Sequence, residues 1–383
     1  MMNFENLLQE PYLKIIRLLD GKAFFVGGCV RDVLAGRSMG DVDMATPLQP
    51  EQVMEKLTTA GYHVVPTGLK HGTVTVVLPK KETVEITTFR QDVQTDGRHA
   101  KGAFLPSMEQ DAFRRDLTIN ALYLNANGKL YDFCDGQNDL KKGYVRFIGV
   151  ADQRIHEDAL RLLRFFRFWG LFGRGTPDKE AIKACRRCRS LLKKLSKERC
   201  RNELFKILSM PRVMDVLRQM QKAGVLKMWI PTSSSALFRL QKLVSREKSL
   251  GVRLDPLLHF WVLAQRQVDL KLSNAQKDFL KKLSDADRYP LKTQRDALTI
   301  LYLFGKDVFR AMILLKKKRL PFSAWLFYSR LQRPVFPISA ADVCQKDGVS
   351  DEALGQKLGE YEALWMRLNF PTEKKVVFSF EKE

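Results

Sequence analysis

Through the first 20 residues Leu and Ile return every three or four positions, the spacing of a helix with one apolar face. The apolar positions then contract into a short run, Ala23 to Val26, which predicts a strand ending in Gly27-Gly28. A helix is expected to open at Val30, a second strand to follow around Asp41-Val42-Asp43, and another helix to run from about Pro50 to Ala60. His71 to Leu78 and Thr83 to Phe89 are rich in β-branched residues on either side of a lysine-rich turn, the pattern of a hairpin. Residues 92 to 111 carry Gly97, Gly102 and Pro106 without a clear period, which predicts a mobile loop. From about Arg154 onward the period is helical, interrupted at Gly170 to Pro177, Pro231 to Ser235, near Pro290 and at Pro334 to Pro337. The pattern describes an α/β front and an all-α rear, with boundaries near 150, 210 and 290. No internal repeat or low-complexity tract interrupts it.

Charge sharpens this division. Of 383 residues, positions 1–150 hold 18 Lys+Arg and 18 Asp+Glu, whereas positions 151–383 hold 47 and 25, so the net charge of +22 lies wholly in the rear. A neutral front carrying carboxylates and a strongly basic rear suggest chemistry in the one and a polyanion held by the other. Clusters such as Lys316-Lys317-Lys318-Arg319, and Arg186-Arg187 beside Arg189, suit phosphate contacts. Glu5 and Glu10 interrupt any apolar signal region, and no apolar run is long enough to span a bilayer. Six scattered cysteines predict a reduced, cytoplasmic protein. Cys185-Arg186-Arg187-Cys188 has zinc-like spacing, but no second pair completes four ligands, so a structural role is expected.

The candidate chemistry begins at the glycines. Gly27-Gly28-Cys29-Val30-Arg31-Asp32 ends a strand, where absent side chains let a phosphate approach backbone N–H groups. Asp41 and Asp43 lie two apart in an extended segment and present both carboxylates to one side, as a hard divalent cation requires. Glu85, on a strand face with Thr87 and Phe89, is placed to stand beside them as a third carboxylate.

These segments resemble the class II tRNA nucleotidyltransferases, the CCA-adding enzyme family that also includes bacterial poly(A) polymerases. The resemblance covers residues 20 to 210. It rests on the glycine turn and D-x-D of 27–43, on Arg114-Arg115-Asp116-Leu117-Thr118-Ile119-Asn120, on Glu157-Asp158-Ala159-Leu160-Arg161 followed by Arg164 and Arg167, and on Glu198-Arg199 to Glu203-Leu204, in that order. It implies an α/β nucleotidyltransferase head with a small mixed β-sheet (1–150). All-α neck (151–210), body (211–290) and basic tRNA-binding tail (291–383) domains would follow. It further implies that Asp41 and Asp43 hold two Mg²⁺ ions, that Glu85 helps to activate an RNA 3′-hydroxyl, and that Gly27, Gly28 and Arg31 meet the triphosphate. Arg115, Asp116 and Asn120 would bind the nucleotide and its ribose, and Asp158 and Arg161 its base, with Arg164 and Arg167 as further nucleotide contacts.

Base chemistry agrees with the last assignment. Cytosine and adenine both present an amino donor beside a ring-nitrogen acceptor, and uracil and guanine present the reverse. A carboxylate paired with a guanidinium therefore complements C and A. Asp158 and Arg161, three apart in a helical stretch, are expected to share a face and to form that pair. Addition of C and A to tRNA from CTP and ATP is the expected activity. A CC-only or A-only enzyme, a poly(A) polymerase and a non-catalytic RNA-binding protein are the alternatives. The segment Pro66 to Val76, with Leu69-Lys70-His71-Gly72, and the segment Glu198 to Leu204 favour the tRNA branch.

Overall fold

The structure is a computed structural model describing residues 4–69, 72–79, 82–95, 100–104, 107–230, 232–264, 270–317, 319–349 and 351–380. Lys70 and His71 of the segment used to choose the tRNA branch, and Lys318 of the basic cluster, lie outside the described residues. The chain forms two compact units, Met1–Pro231 and Thr232–Glu383.

Unit 1 opens with α1 (Tyr12–Leu18), β1 (Phe24–Val26), α2 (Gly28–Leu34), β2 (Val42–Thr46), α3 (Pro50–Thr59), β3 (His63–Gly68), β4 (Thr73–Val77) and β5 (Thr83–Thr88). Next come β6 (Arg90–Thr95), β7 (Ala100–Phe104), α4 (Met108–Phe113), β8 (Leu122–Leu124), β9 (Leu130–Asp132) and α5 (Gly136–Lys142). A seven-stranded sheet in the order β3-β4-β5-β2-β1-β8-β9 is antiparallel except where β2 runs parallel to β5, so it is mixed, as expected. The hairpin expected around residues 78–83 is the antiparallel pair β4 and β5. Alternation sets the faces: Val84 and Ile86 of β5 and Val42 and Met44 of β2 join a core with Ile15, Ile16, Val53 and Leu57. Asp43 and Glu85 therefore stand on the opposite face.

The stretch from 92 to 111 departs from expectation. Among its described residues, β6 and β7 pair with each other as a separate two-stranded ribbon and α4 begins at Met108; Gly97 and Pro106 lie outside the described residues. A register shift between Asp92 and Gln94 and the glycine at 102 break any regular alternation, so the pairing leaves no period-2 signal in the sequence.

The helices α6 (Ala151–Glu157), α7 (Leu160–Phe172), α8 (Lys179–Cys188), α9 (Lys197–Leu208) and α10 (Val213–Lys222) complete the unit. Helix α7 buries Leu162, Leu163, Phe165, Phe166, Phe168 and Trp169 and packs on α9 and α10. The break expected over Gly170 to Pro177 begins at Gly173. Gly170 is a packing glycine within the helix: a Cβ there would lie 2.1 Å from Met210 Cε and 2.5 Å from Val216 Cγ2, so its missing side chain serves the close approach of α10.

Unit 2 is helical: α11 (Ser234–Leu250), α12 (Pro256–Ala264), α13 (Asn274–Ala286), α14 (Gln294–Phe304), α15 (Lys306–Lys316), α16 (Phe322–Arg330), α17 (Ala340–Asp347), α18 (Asp351–Arg367) and α19 (Lys374–Ser379). Trp365, 1% exposed, anchors its C-terminal core, with the rings of Phe370, Tyr302 and Phe336 4.8, 5.0 and 5.3 Å away and its indole N–H donated to Pro371 O at 2.8 Å.

Replacing a glycine within a helix by alanine ordinarily stabilises, by about 0.5–1 kcal/mol. At Gly170 the sign should reverse. Gly170→Ala should cost about 1–3 kcal/mol through overpacking against Val216 and Met210, read as a lowered urea midpoint. A raised midpoint would show that α7 and α10 are not in close contact.

Candidate active site

The carboxylates come together through strand pairing. In the parallel register of β2 and β5, Asp43 stands beside Glu85. Asp41 precedes β2 on exposed backbone. Burial pushes the Asp43 carboxyl up to about 6, and the neighbouring charges of Glu85 and Asp41 add to the rise while Arg115 and Arg31 oppose it. An acid in that state is short of positive charge. Among the described residues no group of three or more His, Cys, Asp or Glu side chains forms a ready-made cage. Magnesium needs none, because it keeps several waters and takes one or two carboxylates together with substrate phosphates. The hard-oxygen set of Asp41 and Asp43, with Glu85 alongside, fits that ion.

Opposite stand the glycine turn and a set of arginines. Gly27 has φ 71°, a left-handed value, and a Cβ there would approach Arg115 Nη1 to 3.3 Å, so both its backbone and its neighbour demand glycine. Helix α2 starts at Gly28, whose missing side chain leaves its backbone open to the cleft. Arg31, buried, donates to Asp32 Oδ1 at 2.8 and 3.0 Å and to Asn120 Oδ1 at 2.5 Å. Asn120 Nδ2 in turn donates to Asp116 Oδ1 at 3.0 Å, and Asp116 Oδ2 accepts from Arg164 Nε at 2.5 Å. Burial alone would raise the Asp116 carboxyl; the Arg164 guanidinium against it prevails and holds it well below the usual range. The ring of Phe168 lies 4.1, 4.8 and 5.3 Å from the guanidinium carbons of Arg167, Arg31 and Arg164, so one aromatic side chain supports three cations.

Arg115 is held by a residue the sequence reading passed over. Asp111, 1% exposed, accepts from Tyr123 Oη at 2.6 Å, Arg114 Nε at 2.7 Å, Arg115 Nη2 and Nε at 3.1 and 3.3 Å, and the backbone N–H of Arg90 at 3.4 Å. Its spacing of three and four from Arg114 and Arg115 was the available signal.

At Asp158 the helical expectation fails. Asp158 caps α6 with extended backbone, φ −150° and ψ 107°, and α7 starts two residues later, so Asp158 and Arg161 do not share a helix face. Asp158 uses Oδ1 to accept the Leu160 N–H at 3.0 Å, in the manner of short acids at helix starts, and Oδ2 to accept Arg199 Nη2 at 2.8 Å. Arg161 instead pairs with Glu157 and donates to Arg114 O at 3.0 Å. Arg167 Nε donates to buried Glu203 at 2.6 Å across α7 and α9. Arg199 and Glu203 thus join the site from the Glu198–Leu204 motif, whose individual roles the sequence had not assigned.

One cleft of about 570 Å³ gathers these groups. Gly27, Gly28, Arg31, Asp41 and Asp43 line it, as do Arg115, Asp116 and Asn120, and from the rear helices Asp158, Arg161, Arg164 and Arg167. Glu85 is the one predicted residue off that lining; it stands beside Asp43 on the sheet. Seven arginines and five aspartates share the cleft, a charge balance suited to a polyphosphate accompanied by metal ions.

A mixed sheet with carboxylates on its central strands, a glycine turn opening a helix and an arginine-lined cleft define a nucleotidyltransferase with a helical extension. The family model described as the poly A polymerase head domain matches residues 23–146, and that described as the probable RNA and SrmB-binding site of polymerase A matches residues 176–237. The mitochondrial CCA tRNA nucleotidyltransferase 1 of Danio rerio is 32% identical over 418 residues, spanning 98% of this chain and 91% of that protein. Its Homo sapiens counterpart is 33% identical over 403 residues, spanning 99% and 92%. The crystal structure of the Bacillus stearothermophilus CCA-adding enzyme in complex with CTP matches with a TM-score of 0.77 and 25% identity, covering 98% of each chain. The chain belongs to the CCA tRNA nucleotidyltransferase family.

Two outcomes follow from the electrostatics. Because the folded pKa of Asp43 exceeds the ordinary carboxylate value, the fold favours its protonated form, and that contribution is lost as pH rises from about 4 through about 6. Carboxyl-carbon NMR of the metal-free protein should place the Asp43 midpoint near 6, and Glu85→Gln should lower it; an unmoved midpoint would separate the two side chains. Asp111 has the opposite sign. Burial would raise it, but Arg115 and Arg114 hold it low, so its stabilisation is complete at neutral pH and is lost on acidification through the folded pKa. Asp111→Asn should cost about 3–5 kcal/mol in urea unfolding at pH 7 and weaken CTP binding, measured by calorimetry.

Proposed function

We propose that the chain adds cytidine and adenosine nucleotides to the 3′ end of tRNA, from CTP and ATP and without a nucleic-acid template, releasing pyrophosphate. The observation that carries this is the cleft in which the Asp41 and Asp43 carboxylates face the glycine turn and the Asp158 to Arg167 segment. Asp41 and Asp43 are assigned to hold two Mg²⁺ ions, which when bound lower the pKa of the RNA 3′-hydroxyl and neutralise the departing pyrophosphate. Glu85, beside Asp43, orients the hydroxyl. The open backbone at Gly28 and the guanidinium of Arg31, fixed by Asp32 and Asn120, receive the triphosphate. Arg115 and Asp116 take the ribose end of the nucleotide.

Base choice is assigned to Asp158 with its neighbouring guanidiniums. Each Asp158 oxygen is engaged by one protein donor, the Leu160 N–H or Arg199, and keeps an acceptor position for the amino group of C or A. Arg199 is added here to Arg161, Arg164 and Arg167 as the residue that aims that carboxylate. The division of labour is a head of 1–150 for phosphate chemistry, a neck of 151–210 for the base, a body of 211–290 and a basic tail of 291–383 for RNA phosphates. All six cysteines are free, which suits a reducing compartment, and the cytoplasm is the compartment proposed. Among the described residues no helix is long and apolar enough to cross a membrane.

Incubation with tRNA lacking CCA, labelled CTP and labelled ATP, followed by sequencing of the 3′ ends, tests the reading: CCA ends support it, and poly(A), CC-only or unextended ends assign the chain to another activity. Asp43→Ala should abolish incorporation while tRNA affinity changes by no more than about two-fold, because phosphate contacts dominate RNA affinity. Asp158→Ala should admit UTP or GTP and reduce use of CTP and ATP, since a mismatched buried polar group costs about 1–3 kcal/mol. Uniform loss with selectivity intact would make Asp158 a structural cap.

A further inference from the structure

A second cavity, of about 950 Å³, opens within unit 1 between the C-terminal ends of α2 and α7 and helix α5. Its half-buried wall includes Leu34, Leu140 and Phe172, and three exposed cations, Arg37, Lys141 and Arg174, line it as well. No carboxylate is among its described lining residues. Aromatic and guanidinium groups join it to the active-site cleft in an unbroken series. Phe168, in the cleft, stacks on Phe172 with centroids 6.2 Å apart and planes at 28°. Arg31 lies 4.8 Å from the first ring and 4.6 Å from the second, and Arg37 lies 4.8 Å from the second.

We propose that this cavity seats a nucleotide unit of the tRNA acceptor strand, its phosphodiester on Arg37, Lys141 and Arg174 and its base or ribose on the apolar wall; this rests on the CCA-adding reading. The chemistry selects the occupant. A magnesium-bound triphosphate calls for carboxylates near its metal, which this lining lacks, whereas a phosphodiester needs only cations. Apolar and aromatic surface beside cations is the usual platform for a single nucleic-acid strand. The series of rings and guanidiniums leads from this cavity to the site where the 3′ end reacts, so the strand that ends in one is the polyanion that passes the other.

The test uses the full-length protein and tRNA lacking CCA. Arg37→Glu combined with Lys141→Glu should weaken tRNA binding by at least about ten-fold and reduce the slope of log affinity against log salt by about 2, as expected for two lost phosphate contacts. CTP affinity, measured by calorimetry, should not change. A benzophenone amino acid placed at Asn138, on the cavity lining, should crosslink to the acceptor arm and should do so in saturating CTP and ATP. Unchanged tRNA affinity and slope in the double variant, or a crosslink displaced by CTP, which would mark a free-nucleotide site, overturns the proposal. If the double variant fails to fold, the crosslink in the otherwise native chain decides. Absence of tRNA binding by the unmodified protein would overturn the proposed function itself, whereas binding that neither variant nor crosslink reports overturns only this cavity's role.

Discussion

A relay of buried and half-buried polar contacts, Arg164 to Asp116 to Asn120 to Arg31 to Asp32, ties α7 to the glycine turn beside the sheet. Each member satisfies the next, and that is what makes it tolerable, since a buried charge left without its partner costs several kcal/mol. Asp116 stands at its centre, accepting from the Leu117 N–H as well as from Asn120 and Arg164. The orientation of Arg31 in the cleft and the position of α7 against the head depend on this chain of bonds, and its two guanidiniums, Arg164 and Arg31, both rest on Phe168. A site that must accept a highly charged substrate is thereby prepared by charges already fixed in place.

The two halves of the cleft are held in different electrostatic conditions. On the arginine side each guanidinium has a specific carboxylate or carbonyl: Arg115 on Asp111, Arg164 on Asp116, Arg167 on Glu203, Arg199 on Asp158 and Arg161 on Glu157. On the sheet side Asp43 is partly desolvated beside Glu85 and Asp41, and its raised pKa expresses that imbalance. Stability would be better served without it. Clusters of this kind persist where a cation is to arrive, and the oxygen donors here suit magnesium carried in with a triphosphate.

Much of this was legible in the chain. The Ala23 to Val26 run, the glycine turn, the hairpin and the helical rear follow from periods of 2 and 3.6 and from turn residues, which are local properties. The D-x-D needs only extended backbone to bring Asp41 and Asp43 to one side. The ordered motifs of 27–43, 114–122, 157–167 and 198–204 were sufficient to suggest the family.

Tertiary structure alone decided what depends on long-range pairing. Nothing local places Glu85 beside Asp43; the parallel register of β2 and β5, forty-two residues apart in the chain, does so. The break between α6 and α7 was hidden because a single extended residue, capped by its own carboxylate, interrupts an otherwise unbroken helical period, and the partner of Asp158 is Arg199 from α9 rather than Arg161. Asp111 looked like the edge of an irregular segment, yet folding surrounds it with Arg114, Arg115 and Tyr123. Gly170 read as a helix end until the approach of Met210 and Val216 explained its missing side chain. Period and composition report which face of a segment is buried; which charge meets which is set by the packing of segments distant in sequence, where burial makes each pairing decisive.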